Sequence, residues 1–270
     1  MAFFYPTSTI ELRGKSILIP IVSTANVGQL AVDLIIGSLN LEQIGVFDPQ
    51  YFIPVVGGRE DGKNGITTPL ELYGKSELNF VIIQQRSPAL KAKKEAFVQE
   101  LLHFIASSDF CAALFLSGVD PSSRTDAQMF TPTHQIHLPG TPNIAGTPLH
   151  NLGNLPIPIY SSPVQQNPVG SLDTTAITPN ESHDIPFVPG GGLTRRLLTS
   201  ISNSGDWKIP TGALLQFVLE GDNRADAALF ASVVAKTLGI NQLNESGSWK
   251  QPSSWSYGLF GAPHDQNLYG

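Results

Sequence analysis

Unbroken apolar runs of strand length alternate along this chain with longer stretches in which apolar residues recur every three to four positions. The pattern is clearest from Ser16 to Asn40. Ile17, Leu18, Ile19, Ile21 and Val22 form a near-continuous apolar run, as expected of a strand buried on both faces of a parallel α/β sheet. Val27, Leu30, Ala31, Leu34, Ile35 and Leu39 then fall at helical spacing, and Asn26 offers a side-chain acceptor for the first free N–H groups of that helix. The intervening turn, Ser23-Thr24-Ala25-Asn26, lies outside the carboxyl end of a strand, where open α/β folds place ligand contacts.

Downstream, Ile44–Phe47 and Tyr51–Val56 read as two short extended pieces near the first strand, separated by an Asp48-Pro49 turn. Leu70–Tyr73 and Leu78–Ile83, joined through Gly74–Glu77, read as a hairpin, which makes the sheet mixed. Pro88–Ser107 is amphipathic, with Leu90, Phe97, Val98, Leu101, Leu102 and Ile105 on one face. Cys111–Leu116 is a further buried strand, and Leu193–Ile201 a short helix. Ala213–Leu219 and the helix carrying Ala227, Phe230, Val233, Val234 and Leu238 repeat the opening strand-turn-helix scheme, with Gly239 as the stop. The pattern predicts a single α/β domain, residues 1–138 and 186–260, with a mixed, largely parallel central sheet flanked by helices. Residues 139–185 break it: ten of the chain's 21 prolines fall in 139–189, and the expectation is a mobile insertion without a packed face. Residues 261–270 are expected to be a flexible tail.

Composition narrows the function classes. A formal charge of -6 and a pI near 5.4 give no general attraction to a phosphate backbone, so nucleic acid is not an expected partner. One cysteine, Cys111, excludes an intrachain disulfide framework, and its place at the start of an apolar run predicts burial. No stretch of about 18 apolar residues occurs, so the chain is expected to be soluble and intracellular, with no membrane partner.

Several places carry candidate chemistry. Gly57–Gly65 is a polar, glycine-rich loop without the spacing of a phosphate-binding loop. Ser117, Asp120, Ser122, Ser123, Arg124 and Asp126 supply a nucleophile, acids and a cation after a buried strand, but without a G-x-S-x-G elbow or a histidine in defined relation. They read as a solvated loop. His134, His137, His150 and His183 lack metal-ligand spacing. Gly190-Gly191-Gly192 permits close backbone packing, or an anion at free N–H groups, at the start of a helix. Glu220 and Asp222 read as turn and helix-capping acids. The reading assigns no catalytic residue, cofactor or metal.

Four stretches, Asn26–Ile36 (NVGQLAVDLII), Val188–Gly192 (VPGGG), Phe217–Asn223 (FVLEGDN) and Pro252–Trp255 (PSSW), together resemble the family of proteasome assembly chaperone 2. The resemblance implies a phosphorylase/hydrolase-like architecture and a non-catalytic chaperone. It further implies pairing with assembly chaperone 1, docking on the outer face of the proteasome α-subunit ring, and a cytoplasmic location with the nucleus as a second. The last three residues, Leu268-Tyr269-Gly270, look like the hydrophobic-tyrosine-any residue (HbYX) tail that such proteins insert between α subunits. The alternative from another class is an α/β enzyme similar to nucleoside phosphorylases.

Overall fold

The structure, a computed structural model, describes residues 2–62, 64–162, 185–240 and 248–257. In chain order the strands are β1 (Phe4–Pro6), β2 (Ser16–Pro20), β3 (Glu42–Phe47), β4 (Gly57–Gly58), β5 (Ile66–Thr67), β6 (Leu70–Gly74), β7 (Phe80–Gln85), β8 (Ala112–Val119), β9 (Thr133–His137) and β10 (Thr211–Phe217). The helices are α1 (Val27–Leu39), α2 (Lys94–Ser107), α3 (Asn151–Asn154), α4 (Gly192–Ser202) and α5 (Arg224–Thr237).

Eight strands form one mixed sheet in the order β1-β3-β6-β7-β2-β8-β10-β9. Its centre is parallel: β2 lies between β7 and β8, and β10 pairs parallel with β8. Both flanks are antiparallel, β9 on one side and β6, β3 and β1 on the other. β4 and β5 form a separate small hairpin.

Alternate residues of the central strands point to opposite faces, and both faces are covered, which is why these strands read as unbroken apolar runs. Ile17, Ile19, Val81, Ile83, Ala113, Phe115 and Leu215 share a core with Phe97, Val98, Leu101 and Ile105 of α2 and Leu193, Leu197, Leu198 and Ile201 of α4. Leu18, Ile82, Leu114, Leu116 and Leu214 share the other with Ala31, Leu34 and Ile35 of α1 and Phe230, Ala231 and Val234 of α5. The result is a three-layer α/β sandwich. Each fully buried Leu, Ile or Phe contributes about 1.5–3 kcal/mol from removal of apolar surface from water.

The structure departs from the sequence reading in five places. β3 pairs with β1 and β6, so it lies three positions from β2 rather than beside it. Tyr51–Val56 is not a strand: Pro49–Tyr51 is a short 3-10 turn capped by Asp48, and only Phe52 bridges, to Ala89. Asn26 adopts a left-handed conformation (φ 50°) and its side chain makes no cap to α1. Cys111 is half-buried, its Sγ 3.6 Å from Ser16 Oγ, because it precedes β8 rather than lying within it. The first half of the proline-rich stretch is packed: Leu149 and Leu152 are fully buried on the α1/α5 side, and Tyr160 is buried on the other. Gly212 of β10 makes room for Leu152, whose Cδ2 lies 2.9 Å from where a Cβ would stand. The later part of that insertion, residues 163–184, and the tail 261–270 lie outside the described residues.

Candidate functional site

The carboxyl ends of β2, β8 and β10 meet at one end of the sheet, where an α/β enzyme would hold its substrate. Four loops converge there and interlock. After β2, the turn Thr24–Asn26 carries two consecutive left-handed residues, Ala25 (φ 57°) and Asn26 (φ 50°). A non-glycine residue in that region costs on the order of 1 kcal/mol, so the surrounding contacts must hold it. Ser23 Oγ donates to Ile21 O at 2.9 Å and accepts from Gly118 N at 2.7 Å, tying the turn to the end of β8. The Thr24 carbonyl occupies the place a Cβ at Gly118 would take, and Thr24 Oγ1 the place of a Cβ at Gly190. Ala25 N donates to Glu220 Oε1 at 2.8 Å, so an acid from the loop after β10 stabilises the strained turn from 195 residues away. Asp120 N donates to Pro189 O at 3.1 Å, joining the loop after β8 to the glycine-rich loop before α4.

Of the candidate catalytic residues, Ser117 and Asp120 take part in this construction. Ser117 is fully buried within β8, where its Oγ donates to Gly118 O at 3.2 Å and accepts from Thr194 Oγ1 at 2.8 Å. Asp120 accepts from Ser122 N at 2.8 Å, and that bond holds its exposed carboxyl below the usual carboxylate range. Ser122 and Ser123 belong to the 3-10 turn Asp120 caps; Arg124 and Asp126 are exposed on the following loop and turn. Asp222 is ion-paired with Arg224 at the start of α5, which lowers its carboxyl in turn. A Cβ at Gly191 would stand 2.5 Å from Val188 Cγ1, so Gly190 and Gly191 serve close packing, whereas a Cβ at Gly192 would meet open space.

The histidines are dispersed in role. His134 is buried edge-on to Phe217 (5.2 Å between centroids) and Tyr160 (6.3 Å), and burial holds its imidazole below the ordinary range. His137 Nε2 lies 2.9 Å from Gln135 Oε1, and His150 Nδ1 lies 3.0 Å from Thr147 O. His183 lies outside the described residues, and among the described residues no three His, Cys, Asp or Glu side chains are grouped as metal ligands. The Gly57–Gly65 loop joins β4 to β5, with Arg59 Nε donating to Asp61 at 3.0 Å. Leu268, Tyr269 and Gly270 also lie outside the described residues.

Two features escaped the sequence reading. The first is apolar surface around the closed strand ends: Phe130 is 87% exposed, Leu219 69%, Ile159 67% and Met129 57%. A Thr125/Gln128 capping box builds the turn that presents Met129 and Phe130. Gln128 Nε2 donates to Ser161 O at 2.8 Å and Phe217 N to Pro132 O at 2.8 Å, drawing Ile159 and Leu219 towards that turn. Asp126 in the same turn and Glu220 next to Leu219 place acid beside these residues. The only local signal was Met129-Phe130 standing between polar turns.

The second is a cleft of about 400 Å³ lined by Asp33, Arg59, Glu60, Tyr73, Arg86 and Ser253, among others. Beside it Glu71 is fully buried and accepts from Thr68 N (2.8 Å), Gln43 Nε2 (2.6 Å), Tyr73 Oη (2.9 Å) and Arg86 Nε (3.2 Å). Burial and the neighbouring Glu71 charge push the Tyr73 phenol up to about 12. Burial pushes the Asp33 carboxyl up, against the pull of Arg86. Gln84 Nε2 donates to Asp33 Oδ1 at 2.6 Å and Arg86 lies 3.5 Å from the same oxygen, so the network joins α1 to β6 and β7.

Fold and site together define a three-layer α/β domain in which interlocked loops cover the ends of β2, β8 and β10, exposed apolar side chains stand nearby, and a pocket of about 240 Å³ lined by Val22, Asn26, Gln29, Gln84 and Ser87 stays open beside β2 and β7. The family model described as "PAC2 family" matches residues 17–234, and the chain belongs to that family. It is 31% identical over 270 residues to proteasome assembly chaperone 2 of Mus musculus, covering 94% of this chain and 95% of that protein. To the Homo sapiens protein of the same name it is 30% identical over 267 residues, with the same coverage. Among solved structures it is similar to Pyrococcus furiosus PbaA, described as an archaeal homolog of proteasome-assembly chaperone. The TM-score is 0.57 at 20% identity, covering 90% of this chain and 89% of that one, a likeness of fold.

Proposed function

We propose that this chain is a non-catalytic proteasome assembly chaperone that pairs with assembly chaperone 1 and docks on the outer face of the α ring. The observation that carries the reading is the exposed apolar set Phe130, Leu219, Ile159 and Met129 near the loop-covered ends of β8 and β10. Such a surface suits a macromolecular partner better than an enclosed substrate. The names of the relatives in the family supply the proteasome as the assembly served. In this reading Leu268 fills an apolar pocket between α subunits, Tyr269 packs at its wall, and the Gly270 carboxylate pairs with a lysine. The location proposed with this reading is the cytoplasm, with the nucleus as a second. The phosphorylase-like alternative is disfavoured by Ser117, whose hydroxyl lies buried beneath the interlocked loops.

The test is affinity of the chaperone pair for the core particle with and without Leu268–Gly270. Burial of Leu268 and Tyr269 is worth about 2–4 kcal/mol before ordering costs. Deletion should therefore weaken docking roughly ten- to a hundredfold while leaving thermal unfolding unchanged. Unchanged affinity would refute the anchor, and failure to co-purify with either assembly chaperone 1 or α subunits would refute the chaperone reading.

A further inference from the structure

Residues 248–257 lie across the domain as a strap. Trp249 Nε1 donates to Ser232 Oγ of α5 at 3.0 Å, and Lys250 N donates to Ser38 Oγ of α1 at 2.8 Å. The Lys250 carbonyl rests over Gly37, 3.2 Å from where a Cβ would stand, a contact a larger residue would disturb. Trp255 is buried in the core on the α1/α5 side. Between these anchors, Glu60 from the β4–β5 loop takes three hydrogen bonds: from Ser253 N at 2.9 Å, Ser253 Oγ at 2.6 Å and Ser254 N at 3.3 Å. The two N–H groups open the 3-10 turn Ser253–Tyr257, so a carboxylate distant in sequence does the work of a local cap. The same strap closes one side of the cleft that holds Tyr73 and Arg86.

We propose that Glu60 is a positioning residue that latches this strap and so sets the point from which the C-terminal tail leaves the domain. The proposal rests on the docking role given to the tail above. Leu268 lies eleven positions beyond Tyr257, a span of at most about 40 Å. With the strap free, the preceding anchor among the described residues is Ile240 after α5, 28 positions before Leu268, and the bound rises to about 100 Å. The effective concentration of a tethered group falls as roughly the −3/2 power of tether length, so release should weaken docking about fourfold.

The experiment compares the full-length chain, paired with assembly chaperone 1, with its Glu60→Ala variant, each with and without Leu268–Gly270. Strap release is read without the proteasome, by tryptophan emission and limited proteolysis. Trp207, buried and donating to Ile209 O at 2.8 Å, is the constant background. Glu60→Ala should shift emission to the red and open the strap to cleavage, with a lowered melting temperature as Trp255 leaves the core. It should weaken core-particle binding about fourfold with the tail present and not at all with it deleted. The proposal is overturned if the strap stays protected, or if Glu60→Ala weakens docking equally without the tail, which would place Glu60 in the contact surface itself. If deleting Leu268–Gly270 changes nothing, the tail's docking role fails on its own account. Emission and proteolysis then still decide the latch: release supports it, continued protection overturns it.

Discussion

At the scale of single residues, buried polar groups do the most to define this structure. Glu71 is tolerated in the interior because Arg86, Tyr73, Gln43 and Thr68 satisfy its oxygens. His134 is a different case: its Nδ1 has no hydrogen-bond partner and its ring packs against Phe217 and Tyr160. Folding therefore favours the neutral imidazole, with a folded pKa below the ordinary value. As pH falls through about 6.5, the unfolded chain takes up a proton that the folded chain resists, so stability is full above that pH and declines below it. Denaturant unfolding followed from pH 7.5 to 5 should show this decline, and His134→Phe should flatten it. An equal slope in the variant would assign the acid sensitivity to other groups. Neither residue's role was legible locally, since a lone histidine on a strand carries no mark of what its ring will face.

Among the elements, the helices and central strands were readable because their apolar periodicity is a local property. β2, β6, β7, β8 and α2 lie close to where the pattern put them. The short α3 was not readable: four residues among prolines have no period to detect, yet Leu152 packs against Gly212 and the α1/α5 core. Truncation here should act as a core mutation rather than a loop mutation. Leu152→Ala is expected to cost about 2–5 kcal/mol by thermal or denaturant unfolding. A loss below about 1 kcal/mol would mean that residues 139–162 contribute little to the domain. The same reasoning revises the expectation that residues 139–185 form a mobile insertion without a packed face, because Leu149, Leu152 and Tyr160 are buried in the domain.

For the whole molecule, the informative asymmetry is between the two ends of the sheet's parallel centre. The carboxyl end is locked by loop-to-loop contacts and still exposes Phe130, Leu219, Ile159 and Met129 beside acidic side chains. A lone chain with such a surface is expected to self-associate, and covering it should stabilise the fold by mass action. Replacing Phe130 and Leu219 together by Ser should make the isolated chain more monodisperse in light scattering and weaken pairing with assembly chaperone 1 at least tenfold. Pairing of unchanged affinity would move the partner's contact elsewhere on the domain.

Much of the architecture followed from sequence alone. Near-continuous apolar runs specified strands buried on two faces, helical stripes specified which sides of α2, α4 and α5 would meet the sheet, and four short stretches marked the family. What only the tertiary structure decided was how distant segments meet: Glu220 under Ala25, Thr24 against Gly118 and Gly190, Glu60 on the strap, β3 away from β2. Periodicity reports which face of an element avoids water, an energy set within a few residues. The order of strands and the meeting of loops depend on pairing energies and chain closure over tens to hundreds of residues, which leave no periodic trace in the segments they join.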